Sequence, residues 1–286
     1  MSISSNYLLS LYGSGTGSAS SGSLLNTAYG IGTGAGSSSG TDPVAALNAA
    51  EANQTADVAQ TAVQSGVQTA LAAFTKGVNS ATSVSQLLAN PAVLNVLLTA
   101  AGMTDQIGNT ALAEKVLMSN LKDSGSLANT LTDTRWKTLA TTYNFAADGL
   151  AALQNPTTLA SVAQGYAQIT WEHNQDTVTP GLSNALAFIQ QAGTITSVDQ
   201  LLGNPTVRNV VTTALGIPQQ IAFQPLTTQE KVISDAVDVR RFKDPKFVQT
   251  MAQQYLIANN NNSAASSASS PSNITNLAVQ AQGVIA

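Results

Sequence analysis

Few side chains in this sequence could carry acid–base or ligand chemistry, and their spacing limits what they can do. Among 286 residues there is one histidine, His173, next to Glu172 and close to Trp171. A catalytic or metal-binding histidine needs a nucleophile or further ligands at matched spacing. None accompanies His173, which therefore reads as a structural or solvated side chain. There is no cysteine, hence no thiolate nucleophile, disulfide framework or Cys-based zinc site. The one basic cluster is Arg240, Arg241, Lys243 and Lys246. It falls where one helix should end and another begin, a favourable place for cations beside the helix C-terminus. Asp235, Asp238 and Asp244 interleave with it and argue against an anion site. The other carboxylates are scattered, with neither calcium-loop spacing nor a glycosidase-like pair. Glycines at 13, 15 and 17 and at 30, 32, 34 and 36 follow no strand and are closed by no lysine, so they are not a phosphate-binding fingerprint. These residues lead us to expect no catalytic, cofactor-binding or metal-ligating site, no cofactor, and a protein that is not an enzyme.

The elements that would position such residues are dominated by one repeated block. Ser83–Gly102 reads SVSQLLANPAVLNVLLTAAG, and Ser197–Gly216 reads SVDQLLGNPTVRNVVTTALG at a constant offset of 114 residues. Ser83-x-x-Gln86 and Ser197-x-x-Gln200 are capping boxes. Asn90-Pro91 and Asn204-Pro205 each start a further helix with a side-chain cap and a proline at its first position. Val93, Val96 and Leu97 then line one face, as do Val207, Val210 and Val211, and Gly102 and Gly216 supply left-handed C-terminal residues. The block is a helix–turn–helix corner kept for packing. A DNA-reading corner would need a basic second helix, and the net charge of −4 argues against a nucleic-acid partner more generally.

The spacing predicts an all-α chain of two tandem, pseudo-repeated helical units with low-complexity termini and no sheet. Unit one spans 42–155 and unit two 156–258. Each should begin with one long helix, 42–78 in unit one and 156–191 in unit two, the second broken at Pro180-Gly181. Val63, Val67, Leu71, Phe74 and Val78 make the stripe of the first. Final helices are expected at 134–145 and 245–257, and Thr227-x-x-Glu230 is a further capping box. Residues 1–41 are a Ser/Gly-rich tail, disordered alone or ordered on assembly. Residues 259–286 are a linker and a weakly amphipathic tail. Apolar residues set into these ends, namely Tyr7, Leu8, Leu9, Leu11, Tyr12, Leu24, Leu25, Tyr29, Leu277 and Val279, are the candidate assembly residues. No stretch approaches the ~18 apolar residues of a spanning helix, so membrane insertion is not expected.

The paired blocks resemble a bacterial family known only as domain of unknown function 1217. The resemblance rests on Ser83-Val84-x-x-Leu87-Leu88-x-Asn90-Pro91-x-Val93-Leu94, on Thr110-Ala111-Leu112-x-x-Lys115-Val116-Leu117, and on Leu131-x-Asp133-x-Arg135-Trp136 running to Tyr143-Asn144-Phe145. It covers roughly 58–257. It implies an all-helical protein of the kind encoded among flagellar genes of alphaproteobacteria, and it carries over no catalytic or binding residue. Charged residues make up 9% of this chain, against roughly 25% in typical globular proteins. Low charge, absence of cysteine and a Ser/Gly-rich N-terminus resemble proteins threaded unfolded through the flagellar export channel. The expectation is a non-enzymatic, flagellum-associated structural protein, exported without a cleaved signal and assembling through its termini. Its partners would be copies of itself or flagellar axial proteins, in the flagellum or outside the cell. The alternative is a cytoplasmic adaptor or chaperone-like binding module linked to flagellar assembly.

Overall fold

The structure is a computed structural model and describes residues 42–268, with side chains described to residue 263. Every regular element among them is helical: α1 (Pro43–Ala62), α2 (Ser65–Ser80), α3 (Val84–Leu88), α4 (Pro91–Ala100), α5 (Thr110–Leu117), α6 (Leu127–Thr130), α7 (Thr134–Tyr143), α8 (Phe145–Asp148), α9 (Ala151–Gln154), α10 (Pro156–Gln175), α11 (Leu182–Gln191), α12 (Val198–Gly203), α13 (Pro205–Ala214), α14 (Leu226–Ala236) and α15 (Pro245–Ala268). Short 3-10 turns lie at Thr104–Gln106, Ala192–Thr194, Gln219–Phe223 and Val239–Lys243. The chain is thus all-α, as the absence of period-two alternation led us to expect.

Local signals place most helix starts. The Asp42 carboxylate accepts from Val44 N at 3.0 Å, Asn90 from Ala92 N at 3.0 Å, Asn155 from Thr157 N at 2.9 Å and Asn204 from Val207 N at 3.1 Å. A proline follows each cap, where its missing N–H costs nothing. Ser83 and Ser197 accept from Gln86 N at 3.1 Å and Gln200 N at 3.2 Å. The glutamines do not return to the serine amides. Gln86 Oε1 accepts from the amide and hydroxyl of Thr82, and Gln200 Oε1 from those of Thr196. Gly102 and Gly216 sit at φ of 66° and 65°, conformations that any other residue but Asn would resist.

Several expected boundaries differ. The first long helix is two helices. The chain breaks at Val63–Gln64, where Gln64 is extended and Val63 is 75% exposed instead of joining the apolar stripe. The described part of the expected linker, 259–268, is helical, and Asn259 Nδ2 donates to Pro180 O at 2.8 Å. The helix after Phe223 starts at Leu226 behind Pro225, and Thr227 does not cap it. Thr227 already lies inside the first turn, past the position from which a side chain caps. The helix from 134 ends at Tyr143, turned by Asn144 at φ 41°.

Two hydrophobic cores result. The first gathers Phe74, Leu97, Leu98, Trp136 and Leu153 from α2–α9 together with Val162 of α10. The second gathers Phe188, Val211, Met251 and Tyr255 from α11–α15, together with Leu47 of α1 and Trp171 of α10. The expected boundary at 155/156 therefore does not separate them. α1, expected in unit one, packs in the second core, and α10 gives its N-terminal half to the first core and its C-terminal half to the second. A 20-residue helix such as α10 is roughly 30 Å long, enough to reach both. The candidate assembly residues Tyr7 to Tyr29, Leu277 and Val279 lie outside the described residues.

Candidate functional site

The side chains with the greatest chemical potential collect where α10 passes between the cores. Asp133 caps α7 by accepting from Arg135 N at 3.0 Å, and this turn directs the Arg135 side chain back across the cap. Every nitrogen of its guanidinium is engaged. Nε lies 3.0 Å from Asp133 Oδ1, Nη1 donates to Gly102 O and Asp105 Oδ1 at 3.0 Å each, and Nη2 to Asp105 Oδ2 at 2.9 Å and Asp133 Oδ2 at 2.8 Å. Burial opposes the charge on Arg135, but the hydrogen bonds to Asp133 and Asp105 outweigh it and raise the guanidinium's proton affinity. For Asp105, burial pushes the carboxyl up, and the bonds from Arg135 and Gln106 more than reverse that. Arg135 thereby ties the C-terminal end of α4 to the start of α7, through the Gly102 carbonyl.

Beside this network is a cavity of about 400 Å³, lined by Gly102, Arg135, Tyr143, Val162, Gln190 and Asn204 among others. Its walls come from both cores. Burial pushes the Tyr143 hydroxyl up to about 12, so it is neutral at any physiological pH. The hydroxyls of Thr138 and Thr142, on the same wall, donate to carbonyls one turn back.

A second cavity of about 370 Å³ also borders Gly102 and includes Asp105, Glu172, His173, Asp176 and Asn209. Glu172 is 1% exposed. Its Oε1 accepts from Gln168 Nε2 and Gln190 Nε2 at 2.6 Å each, which ties α10 to α11. Burial pushes its carboxyl above the usual range despite these bonds, and the nearby Asp176 charge adds to the effect. Asp176 in turn accepts from Ser183 N at 2.8 Å and from the Ser183 hydroxyl, closing the turn from α10 into α11. No group of three or more His, Cys, Asp or Glu side chains among the described residues could hold a metal ion.

The residues singled out from sequence fall outside this arrangement or at its rim. His173 is exposed at the edge of the second cavity, while Trp171 is buried with its indole N–H unpartnered. The basic cluster is dispersed. Arg240 pairs with Asp238 at 2.9 Å on the surface, and the Arg241 guanidinium lies 4.0 Å above the Phe247 ring. What sequence reasoning missed is Arg135 with its two aspartates and the buried Glu172. Asp133-x-Arg135 is a cap-plus-return pair that could have been read locally. Asp105, 30 residues away, could not.

Fold and site thus define an all-helical protein with two cores that share one helix, α10. The profile of the family described as "Protein of unknown function (DUF1217)" matches residues 100–248, and the chain belongs to that family. Among solved structures, the fold is similar to that of an Agrobacterium tumefaciens protein determined by X-ray crystallography as a structural-genomics target. The two share 23% sequence identity with a TM-score of 0.63, over 75% of this chain and 91% of that one. No curated protein matches the sequence. No helix among the described residues is long and apolar enough to cross a membrane.

Proposed function

We propose that the chain is a non-enzymatic structural protein of the flagellum, exported by the flagellar route and assembling through its terminal segments. Its partners are proteins: further copies of itself or axial components. The observation that carries the non-enzymatic part is the use made of its strongest polar groups. Arg135 and Glu172 are the best-placed candidates for chemistry, and both are engaged by neighbouring side chains that join helices. A group so held must break several hydrogen bonds before it can turn to a substrate. The flagellar setting is supported by the low charge, the lack of cysteine and the Ser/Gly-rich first forty residues.

Export is the direct test. The protein is to be sought outside cells with and without a working flagellar export gate. The proposal expects it outside only when the gate works; finding it confined to the cytoplasm in both strains would sink the export reading and favour an adaptor.

A further inference from the structure

We propose that the cavity beside Arg135, walled by both cores, binds a small uncharged molecule with an apolar body and a carbonyl acceptor. Its volume of about 400 Å³ falls within the usual range of ligand sites, about 300–1,000 Å³, and such sites concentrate between packed bodies. α10 is pressed against α4 at Gly165, where a Cβ would stand 2.9 Å from the Ala100 carbonyl oxygen. One turn further along α10, Ile169 lines the cavity. It is buried, yet it is part of neither core. A Cβ on Gly102 would lie 3.8 Å from Ile169 Cδ1 and 3.6 Å from Gln191 Nε2, which sets an apolar group and an amide donor side by side.

The polar groups decide what the ligand must be. Tyr143 is 7% exposed, and its hydroxyl makes no hydrogen bond among the described residues. Buried hydroxyls normally have a partner. This one is not sealed off, and the open space on its side is the cavity. Gln191 Oε1 accepts from Asn204, but its Nε2 donates to nothing among the described residues. Each core thus contributes one unused donor, and a carbonyl oxygen is the acceptor that suits both. By contrast, the hydroxyls of Thr138, Thr142, Ser161 and Thr194 give their protons to backbone carbonyls.

Leu139, Val162 and Ile169 supply the contact for an apolar body. A charged ligand would be desolvated without a partner, at high cost. Arg135 is the one charged side chain among the described lining residues, and all its guanidinium nitrogens are already bonded. This inference goes beyond the assembly reading, because it concerns the helical body and holds whether or not the chain is exported.

Fluorescence titration of the full-length chain with prodan, a neutral two-ring ketone, tests it. The wild type should bind one equivalent saturably, shift the emission to shorter wavelength, and melt at a higher temperature with the probe present. Tyr143→Phe should weaken binding about three- to tenfold, the loss of one hydrogen bond. Ile169→Trp, which fills the cavity, should abolish it. Phe223→Ser, which removes a large apolar side chain that is 88% exposed, should leave it unchanged. Because Tyr143→Phe removes a single oxygen, it decides the matter even if the tryptophan variant does not fold. Absence of saturable binding by the wild type, affinity that both cavity variants leave intact, or binding lost in Phe223→Ser would overturn the proposal.

Discussion

The two copies of the repeated block fold into the same corner and are packed differently, and their sequence differences follow the packing. In both, a serine caps a short helix, an asparagine and proline start a longer one, and a left-handed glycine ends it. Each copy is covered on two sides, copy one by α2 and α10 and copy two by α11 and α15, but the copies differ at the positions of Leu94 and Leu98, both buried in copy one. At the same positions copy two has Arg208, whose guanidinium bonds Leu202 O, and Thr212, whose hydroxyl returns to Arg208 O. Where α2 rests on copy one, Gly77 lets Asn90 and Val93 approach within 2.7 Å of where its Cβ would be. The counterpart in copy two is Gln191, which uses the extra room to accept from Asn204 Nδ2 at 2.8 Å. The reverse holds at Ala89 and Gly203. Ala89 is exposed, whereas a Cβ on Gly203 would lie 2.5 Å from the Thr132 carbonyl oxygen. Capping residues thus specify the corner, and the neighbours decide the rest.

Exchanging residues between the copies is the way to break this comparison. The largest effect is expected at Leu98. Truncation to Ala should cost about 2–5 kcal/mol by denaturant unfolding, as for other buried leucines. Thr212→Ala should cost far less, and equal losses at the two sites would contradict the claim that only copy one relies on a large apolar side chain there. Arg135 makes with Asp133 the same cap-and-return bonds that Arg240 makes with Asp238, but Arg240 is exposed whereas Arg135 is buried and also bonds Asp105. Arg135→Met should cost about 3 kcal/mol, the low end for breaking a buried pair, because Asp105 keeps some solvent. Because Arg135 holds the Asp105 carboxyl low, that contribution is present above the unfolded carboxylate pKa of about 3.9 and is lost as pH falls through the lower folded value. The Met variant should lack this acid-induced loss.

Gly203→Ala gives copy two the residue of copy one. It should destabilise by about 1–3 kcal/mol through the clash with Thr132, while Ala89→Gly should change stability by under about 1 kcal/mol. If both were near neutral, the close approach of the Thr132–Asp133 loop to α12 would be wrong. The smallest effect expected is at Glu172, and it has the opposite sign to Asp105. Its folded carboxyl is raised, so the folded state binds its proton more tightly than the unfolded state does. Stability should fall as pH rises from about 4.3, the unfolded value, through the raised folded value. Glu172→Gln, which keeps an acceptor for Gln168 and Gln190, should flatten that part of a thermal-melting profile against pH.

What could be read from sequence was what is local. Asp42, Ser83, Asn90, Asn155, Ser197 and Asn204 act within three residues of themselves, and their helices begin where those residues said. The break at Val63 was hidden because Val63 fits the apolar period that Val67, Phe74 and Val78 set, and the period carries no record of which face is covered. The helical run past residue 258 was hidden for the opposite reason. Asn259 to Asn262 offer no periodicity, and the partner of Asn259, Pro180, is 79 residues away. The same distance problem concealed the candidate site. Asp133 and Arg135 are two apart, but Asp105 joins them only through the fold. Glu172 entered the sequence reading only as the neighbour of His173, although the helix turns Glu172 inward and His173 outward. The sharing of α10 between cores also follows from three-dimensional packing alone.

The claim that matters most for function is that the terminal segments drive assembly while residues 42–268 form a self-sufficient body. Sedimentation velocity of the full-length chain and of a form cut to 42–268, over a range of concentrations, tests it most directly. The account predicts concentration-dependent association of the full-length chain and a monomeric 42–268 form. A full-length chain that stays monomeric at the highest concentration, or a truncated form that associates equally well, would contradict it.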